Sequence, residues 1–125
     1  MSINTQSMYQ GFFQSEGVSD STRFRASFIR AVNAALADMR TLAFTSVDRI
    51  DSLTDNIDLD ADDYQSHLEI GIKRHVQDSG EWSKDPDPLA ADKWSKALGM
   101  IRTTVWNADK TAVWEGAHGY AKSDE

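Results

Sequence analysis

The sequence predicts an all-α fold: a small bundle of about three main helices, with an N-terminal arm and an extended or hairpin C-terminal tail. Three observations carry that prediction. Apolar residues recur at helical spacing in three separate stretches. Two of the stretches open on clear N-cap residues. The chain has 125 residues, 40% hydrophobic and 26% charged, which suits one domain able to bury about two thirds of its surface.

Residues 1–20 are polar and punctuated by glycine, with Met8, Tyr9, Phe12 and Phe13 as an apolar island. They read as an arm or short helix that docks on something. Ser19-Asp20-Ser21-Thr22 then offers several N-cap oxygens. The first strong helix is predicted over 22–42. Phe24, Phe28, Val32, Ala35 and Met39 form its stripe, and Ile29 and Leu36 widen it. Arg23, Arg25, Arg30 and Arg40 are the polar side, and Ala31, Ala34, Ala35 and Ala37 let another helix come close.

Residues 43–60 carry conflicting signals. Val47, Ile50, Leu53 and Ile57 fit a helical stripe, but Asp48, Asp51, Asp55 and Asp58 are poor helix formers at that density. The segment is expected to be mostly extended, with a helical turn allowed. A second helix is predicted from Ala61 or Asp62 to about residue 79, capped by Asp60 and faced by Tyr64, Leu68, Ile72 and Val76. Gly71 in its interior costs about 1 kcal/mol relative to alanine, so a close backbone approach is expected there. Gly80 supplies the stop. Asp87-Pro88 starts a third helix to about 105, with Ala91, Trp94, Leu98, Ile101 and Val105 on one face. Its β-branched run Thr103-Thr104-Val105 is expected to weaken the end. Trp94 reads as a core anchor; Trp82, in the preceding loop, serves the core or a partner equally well.

The last twenty residues are the least ordinary part of the chain. They hold Trp106, Trp114 and Tyr120 among Gly116 and Gly119 and close on Lys122-Ser123-Asp124-Glu125. Solvated tails are normally poor in aromatics. One such ring buries about 150–250 Å², an upper bound on the order of 4–6 kcal/mol. A tail of this kind needs a surface, on its own bundle or on another chain. Thr104-Val105-Trp106 and Thr111-Ala112-Val113-Trp114 flank a turn-prone tetrad, which reads as a hairpin or as a continued helix. The partner-binding residues expected from composition are Trp106, Val113, Trp114 and Tyr120 in the tail, with Phe12 and Phe13 in the arm.

Chemistry-bearing motifs are weak throughout. With no cysteine there is no disulfide, thiolate nucleophile or thiolate-bound metal. Residues 58–69 place Asp58, Asp60, Asp62 and Glu69 as a calcium loop would, yet Asp63 replaces the turn glycine and Gln65 the apolar eighth position. An acidic helix start explains those carboxylates better. His67 and His75 lie two turns apart, and His118 lies in the tail. Nothing in the sequence brings Glu69, Glu81 and Asp85 together as an acid–base pair, and no serine sits in a nucleophile motif. No catalytic, cofactor or metal residue is expected. The net charge of −7, from 20 acidic and 13 basic residues, argues against a general nucleic-acid binder but not against a ring enclosing DNA. There is no apolar run of transmembrane length, and Met1-Ser2-Ile3-Asn4 does not open a signal peptide, so synthesis in the cytoplasm is expected.

Three features together resemble a known family. They are the alanine-rich helix Phe28-Ile29-Arg30-Ala31-Val32-Asn33-Ala34-Ala35-Leu36, the acidic link ending Ile57-Asp58-Leu59, and the helix Tyr64-Gln65-Ser66-His67-Leu68-Glu69-Ile70-Gly71-Ile72. With a third helix and an aromatic tail, the chain resembles the head–tail adaptor (connector) proteins of tailed bacteriophages over residues 20–105, by element order. The resemblance implies a non-enzymatic virion protein made in the host cytoplasm. Its partners would be the portal protein, tail or nozzle proteins and copies of itself in a homo-oligomeric ring, a dodecamer by the same resemblance. Such a ring lines the exit used in genome ejection, with at most weak, non-specific DNA contact and no membrane contact. The tail after Val105 would be the portal-reaching segment by position and character, mobile in the free protomer and ordered on the portal or a neighbouring protomer. The alternative is a small helical interaction or regulatory module that caps another protein without catalysis.

Overall fold

A computed structural model describes residues 2–16, 20–41, 47–77 and 87–108, the side chains of 13, 15, 16 and 105–108 excepted. The described residues form β1 (Ser2–Ile3), α1 (Thr5–Glu16), α2 (Thr22–Arg40), β2 (Ile57–Asp60), α3 (Ala61–Gln77) and α4 (Ala90–Ala108). The class is all-α, with a single small sheet of two strands among these residues.

Helix α2 begins where its cap begins. Ser21 Oγ accepts the Phe24 amide at 3.0 Å, satisfying one of the free donors of the first turn. The predicted stripe is buried: Phe24, Phe28, Val32, Ala35, Leu36 and Met39, joined by Ser27 and Ala31. Ile29 is half-buried at its edge.

The N-terminal segment is not an arm apart from the bundle. Asn4 caps α1 by accepting the Ser7 amide at 2.9 Å, and Met8, Tyr9 and Phe12 then fall on one helix face and enter the same core as α2. Tyr9 meets Phe28 edge-on at 5.0 Å between centroids and Phe24 at 5.9 Å; Phe12 meets Phe28 at 5.5 Å. Tilted and edge-on pairs of this kind add about 0.5–1.5 kcal/mol each beyond their burial. The Tyr9 hydroxyl donates to the Asp20 carboxylate. Arg25 grips the same carboxylate from both sides, Nε at 2.8 Å and Nη2 at 2.6 Å. One carboxylate thus ties α1 to the start of α2.

The described part of the acidic link, residues 47–60, is not helical: a turn at 51–55 leads into β2, and α2 holds the segment in place. The Asn33 carboxamide donates to the Ile50 carbonyl and accepts the Ile50 amide, both at 2.8 Å. It copies the pairing that a neighbouring strand would give. Arg40 donates Nε and Nη2 to the Val47 carbonyl. Asp55 Oδ2 accepts the amides of Asp51 and Ser52, closing a turn. Val47, Ile50, Leu53, Ile57 and Leu59 are therefore buried without a helix to present them. β2 pairs antiparallel with β1, Ile3 opposite Ile57 and Ser2 opposite Asp60, with an irregularity between.

Asp60 caps α3 through the Asp62 amide at 3.0 Å. Residues 61–69 are helical, so the twelve-residue calcium loop is not formed. Asp87 likewise caps α4, accepting the Leu89 amide at 2.9 Å and pairing with Lys93 at 2.5 Å. The Gln77 side chain accepts the Asp87 amide at 2.8 Å, joining the end of α3 to the start of α4.

α3 packs between α2 and α4. Leu68, Gly71, Ile72 and Val76 are its buried face, and the close approach expected at Gly71 is made by Trp94. A Cβ on Gly71 would stand 2.7 Å from the indole ring. α4 buries a narrow stripe of Trp94, Ala97 and Ile101, while Ala91 is exposed. The helix does not stop at its β-branched run. Thr103 Oγ1 donates to the Gly99 carbonyl and Thr104 Oγ1 to the Met100 carbonyl, one turn back, which lets threonine sit in a helix. Thr104-Val105-Trp106 is therefore helical and cannot be the first strand of a hairpin. Trp82, Gly80, His118 and residues 109–125 lie outside the described residues.

Two outcomes are expected. Gly71→Ala drives a methyl into the Trp94 ring, so the destabilisation of about 1–3 kcal/mol from overpacking outweighs the gain of about 1 kcal/mol in helix propensity. At Gly99 a Cβ meets nothing within 4 Å among the described residues, and Gly99→Ala should stabilise by roughly 0.5–1 kcal/mol. Urea unfolding of both variants checks the opposite signs. The second outcome concerns acid. Arg25 first, and the Tyr9 hydroxyl second, hold the Asp20 carboxyl at about 2, below its ordinary 3.8. A folded value below the unfolded one stabilises fully above the ordinary value and loses that contribution as pH falls through it toward 2. Asp20→Asn should flatten the acid limb of stability between those two values, measured by near-ultraviolet dichroism of Tyr9 and its aromatic neighbours.

Candidate docking surface

The polar centre of the bundle is Asp38, near the end of α2. Its Oδ2 accepts the Trp94 indole N–H from α4 at 2.8 Å and the His75 Nε2–H from α3, also at 2.8 Å. Facing a carboxylate, Nε2 carries the ring proton, and Nδ1 is left toward Arg74 Nη1 at 3.4 Å. A carboxylate on a histidine is half of a nucleophile-activating relay, so its surroundings decide its use. Among the described residues, the hydrogen-bond partners of His75 are Asp38 and Arg74, and neither supplies a hydroxyl to activate. The third partner of the group is a buried indole fixed against Gly71. This arrangement orients helices.

His67, on the same helix, is placed elsewhere. It lies in a trough along the outer side of α3 and α4, a space of roughly 530 Å³ with a neighbouring lobe of roughly 400 Å³ that shares His67, Lys96 and Met100. The floor is apolar. Ile70, Ala97 and Met100 line it, and Met100 is 58% exposed. Lys93 and Lys96 edge it, and no carboxylate lines it among the described residues. Apolar surface rimmed by charge is the usual composition of a contact site, and a methionine on the floor adapts to irregular partners. The trough exists because α4 is covered on one side only: α3 takes Trp94, Ala97 and Ile101, and the next face has no helix on it among the described residues.

The partner-binding residues expected from composition are placed unevenly. Phe12 is in the protein's own core against Phe28, and so is unavailable as an anchor for a partner. Its spacing from Met8 and Tyr9 carried that information. Phe13 and Trp106 lie on α1 and α4, with side chains outside the described residues, and Val113, Trp114 and Tyr120 lie outside them altogether. Sequence reasoning missed the trough. Its residues belong to the polar faces of two helices, and only the packing of α3 on α4 brings Ile70 beside Met100. Among the described residues no group of three or more metal-ligating side chains gathers. None of the described helices is long and apolar enough to cross a membrane.

No protein-family model, no curated protein and no solved structure matches the chain.

Asp38→Ala should cost about 1–3 kcal/mol, because the buried Trp94 N–H loses its acceptor. His75→Ala should cost less, since that ring is partly exposed. Chemical denaturation of both variants, followed by Trp94→Phe in each background, checks whether the three act as one unit.

Proposed function

We propose that this chain is a non-catalytic assembly protein, a protomer of the ring that joins a phage portal to its tail and surrounds the DNA exit. The observation that carries the reading is the one-sided covering of α4. A helix whose outer side carries the exposed Met100 and has no helix over it among the described residues suits a part that is completed by neighbours. The order of α2, extended link, α3 and α4 supports the reading, because it is the element order on which the resemblance to head–tail adaptors rests. The Asp38 group supports a structural rather than a chemical role.

In such a ring the net charge of −7 leaves DNA contact weak and non-specific. Of the cations that could have faced a channel, Arg25 is engaged with Asp20. The portal, tail or nozzle proteins and further copies of the chain are the proposed partners, the virion is the proposed location, and no membrane is involved. The trough alone also fits a monomeric or dimeric interaction module. Mass in solution, with and without the portal ring of the encoding phage, separates the two. The adaptor reading expects a ring or ring-sized addition to the portal. A chain that stays monomeric or dimeric and leaves the portal's mass unchanged is a module of the second kind.

A further inference from the structure

We propose that the α3–α4 trough is the seat of the chain's own C-terminal segment, residues 109–125, with Trp114 as the ring that fills it. This goes beyond the adaptor reading and holds or fails without it. It also departs from the expectation of an unengaged tail in the free protomer.

Four observations converge. The first is shape. Gly99 faces the trough, and nothing among the described residues stands within 4 Å of the place its Cβ would occupy. The missing side chain leaves a notch beside Met100 and Ala97, in a space large enough for one aromatic ring. The second is polarity. The floor is apolar and its edge cationic through Lys96, with Lys93 beside it already paired to Asp87. The segment offers an apolar run, Ala112-Val113-Trp114, followed at once by Glu115. Its four acidic residues, Asp109, Glu115, Asp124 and Glu125, outnumber Lys110 and Lys122 by two.

The third is reach. Met100 lies eight residues before the end of α4 at Ala108, about 12 Å along a helix. Trp114 lies six residues after that end and can extend about 20 Å. A chain that turns back at Asp109-Lys110 therefore brings Trp114 over Met100. The fourth is tethering. A segment joined to its site by so few residues is present at an effective concentration on the order of millimolar, so a modest intrinsic affinity suffices. Any partner that takes up this tail must draw it out of the trough, so the trough sets a threshold for assembly.

The test uses the full chain with carbon-13 in the methionine methyl groups. Of the four methionines, Met8 and Met39 are buried in the core and Met100 is in the trough. Trp114→Ala should move the Met100 methyl resonance, because the ring current of the seated indole is lost, and leave Met8 and Met39 in place as a check on the fold. Gly99→Leu fills the notch on a helix that tolerates it and should raise amide exchange across residues 111–118. A Met100 resonance indifferent to Trp114→Ala, or amide exchange indifferent to Gly99→Leu, overturns the proposal. A Met100 shift that appears only as protein concentration rises overturns it in favour of a second copy's tail. No portal is present in these measurements, so the ring reading is judged separately, by mass.

Discussion

One carboxylate oxygen, Oδ2 of Asp38, receives N–H groups from two other helices, and the arrangement of the bundle follows from meeting that condition. The Trp94 indole must point its nitrogen at Asp38, which fixes the ring's direction across α3. In that direction it lies over Gly71, where any larger residue would displace it. His75 reaches the same oxygen from α3 and so fixes that helix's rotation about its own axis. Hydrophobic burial supplies most of the attraction between these helices but is indifferent to direction. The shared acceptor gives the apolar faces a unique alignment.

The same device recurs at the two other junctions. Asp20 collects the Tyr9 hydroxyl and the Arg25 guanidinium where α1 meets α2. Asn33 stands in for a strand where the link crosses α2. Each junction is apolar in bulk and polar at one point, and each polar point has its partner on a different segment. Burial pushes the Tyr9 phenol up to about 12, with the Asp20 carboxylate adding to the effect, so the hydroxyl stays protonated, and a donor, at neutral pH and well above it. The outer side of the α3–α4 pair, by contrast, has an apolar floor with Lys96 and the Asp87-paired Lys93 at its edge.

Periodicity made the three long helices legible, because Phe24 to Met39, Leu68 to Val76 and Trp94 to Ile101 each repeat at a spacing that only a helix places on one side. Caps made their starts legible, since Ser21, Asp60 and Asp87 do what their side chains predict. The Gly71 approach was legible as a cost without visible compensation, though not the identity of Trp94 as its cause. Three things were hidden. The tie between α1 and the start of α2 depends on Tyr9 finding Asp20, a pairing that sequence spacing does not reveal. The polar roles of Asn33 and Arg40 depend on backbone carbonyls and amides, which every sequence has alike. The persistence of α4 depends on threonines bonding one turn back, where β propensity pointed the other way.

Gln77 and Asp87 meet where the chain passes from α3 to α4. This bond and the Asp87–Lys93 pair fasten the end of one helix to the start of the next. A neutral hydrogen bond of this kind contributes about 0.5–1.5 kcal/mol. Gln77 is not part of the buried face of α3, so the fastening can be loosened at that one side chain without disturbing Leu68, Gly71, Ile72 or Val76.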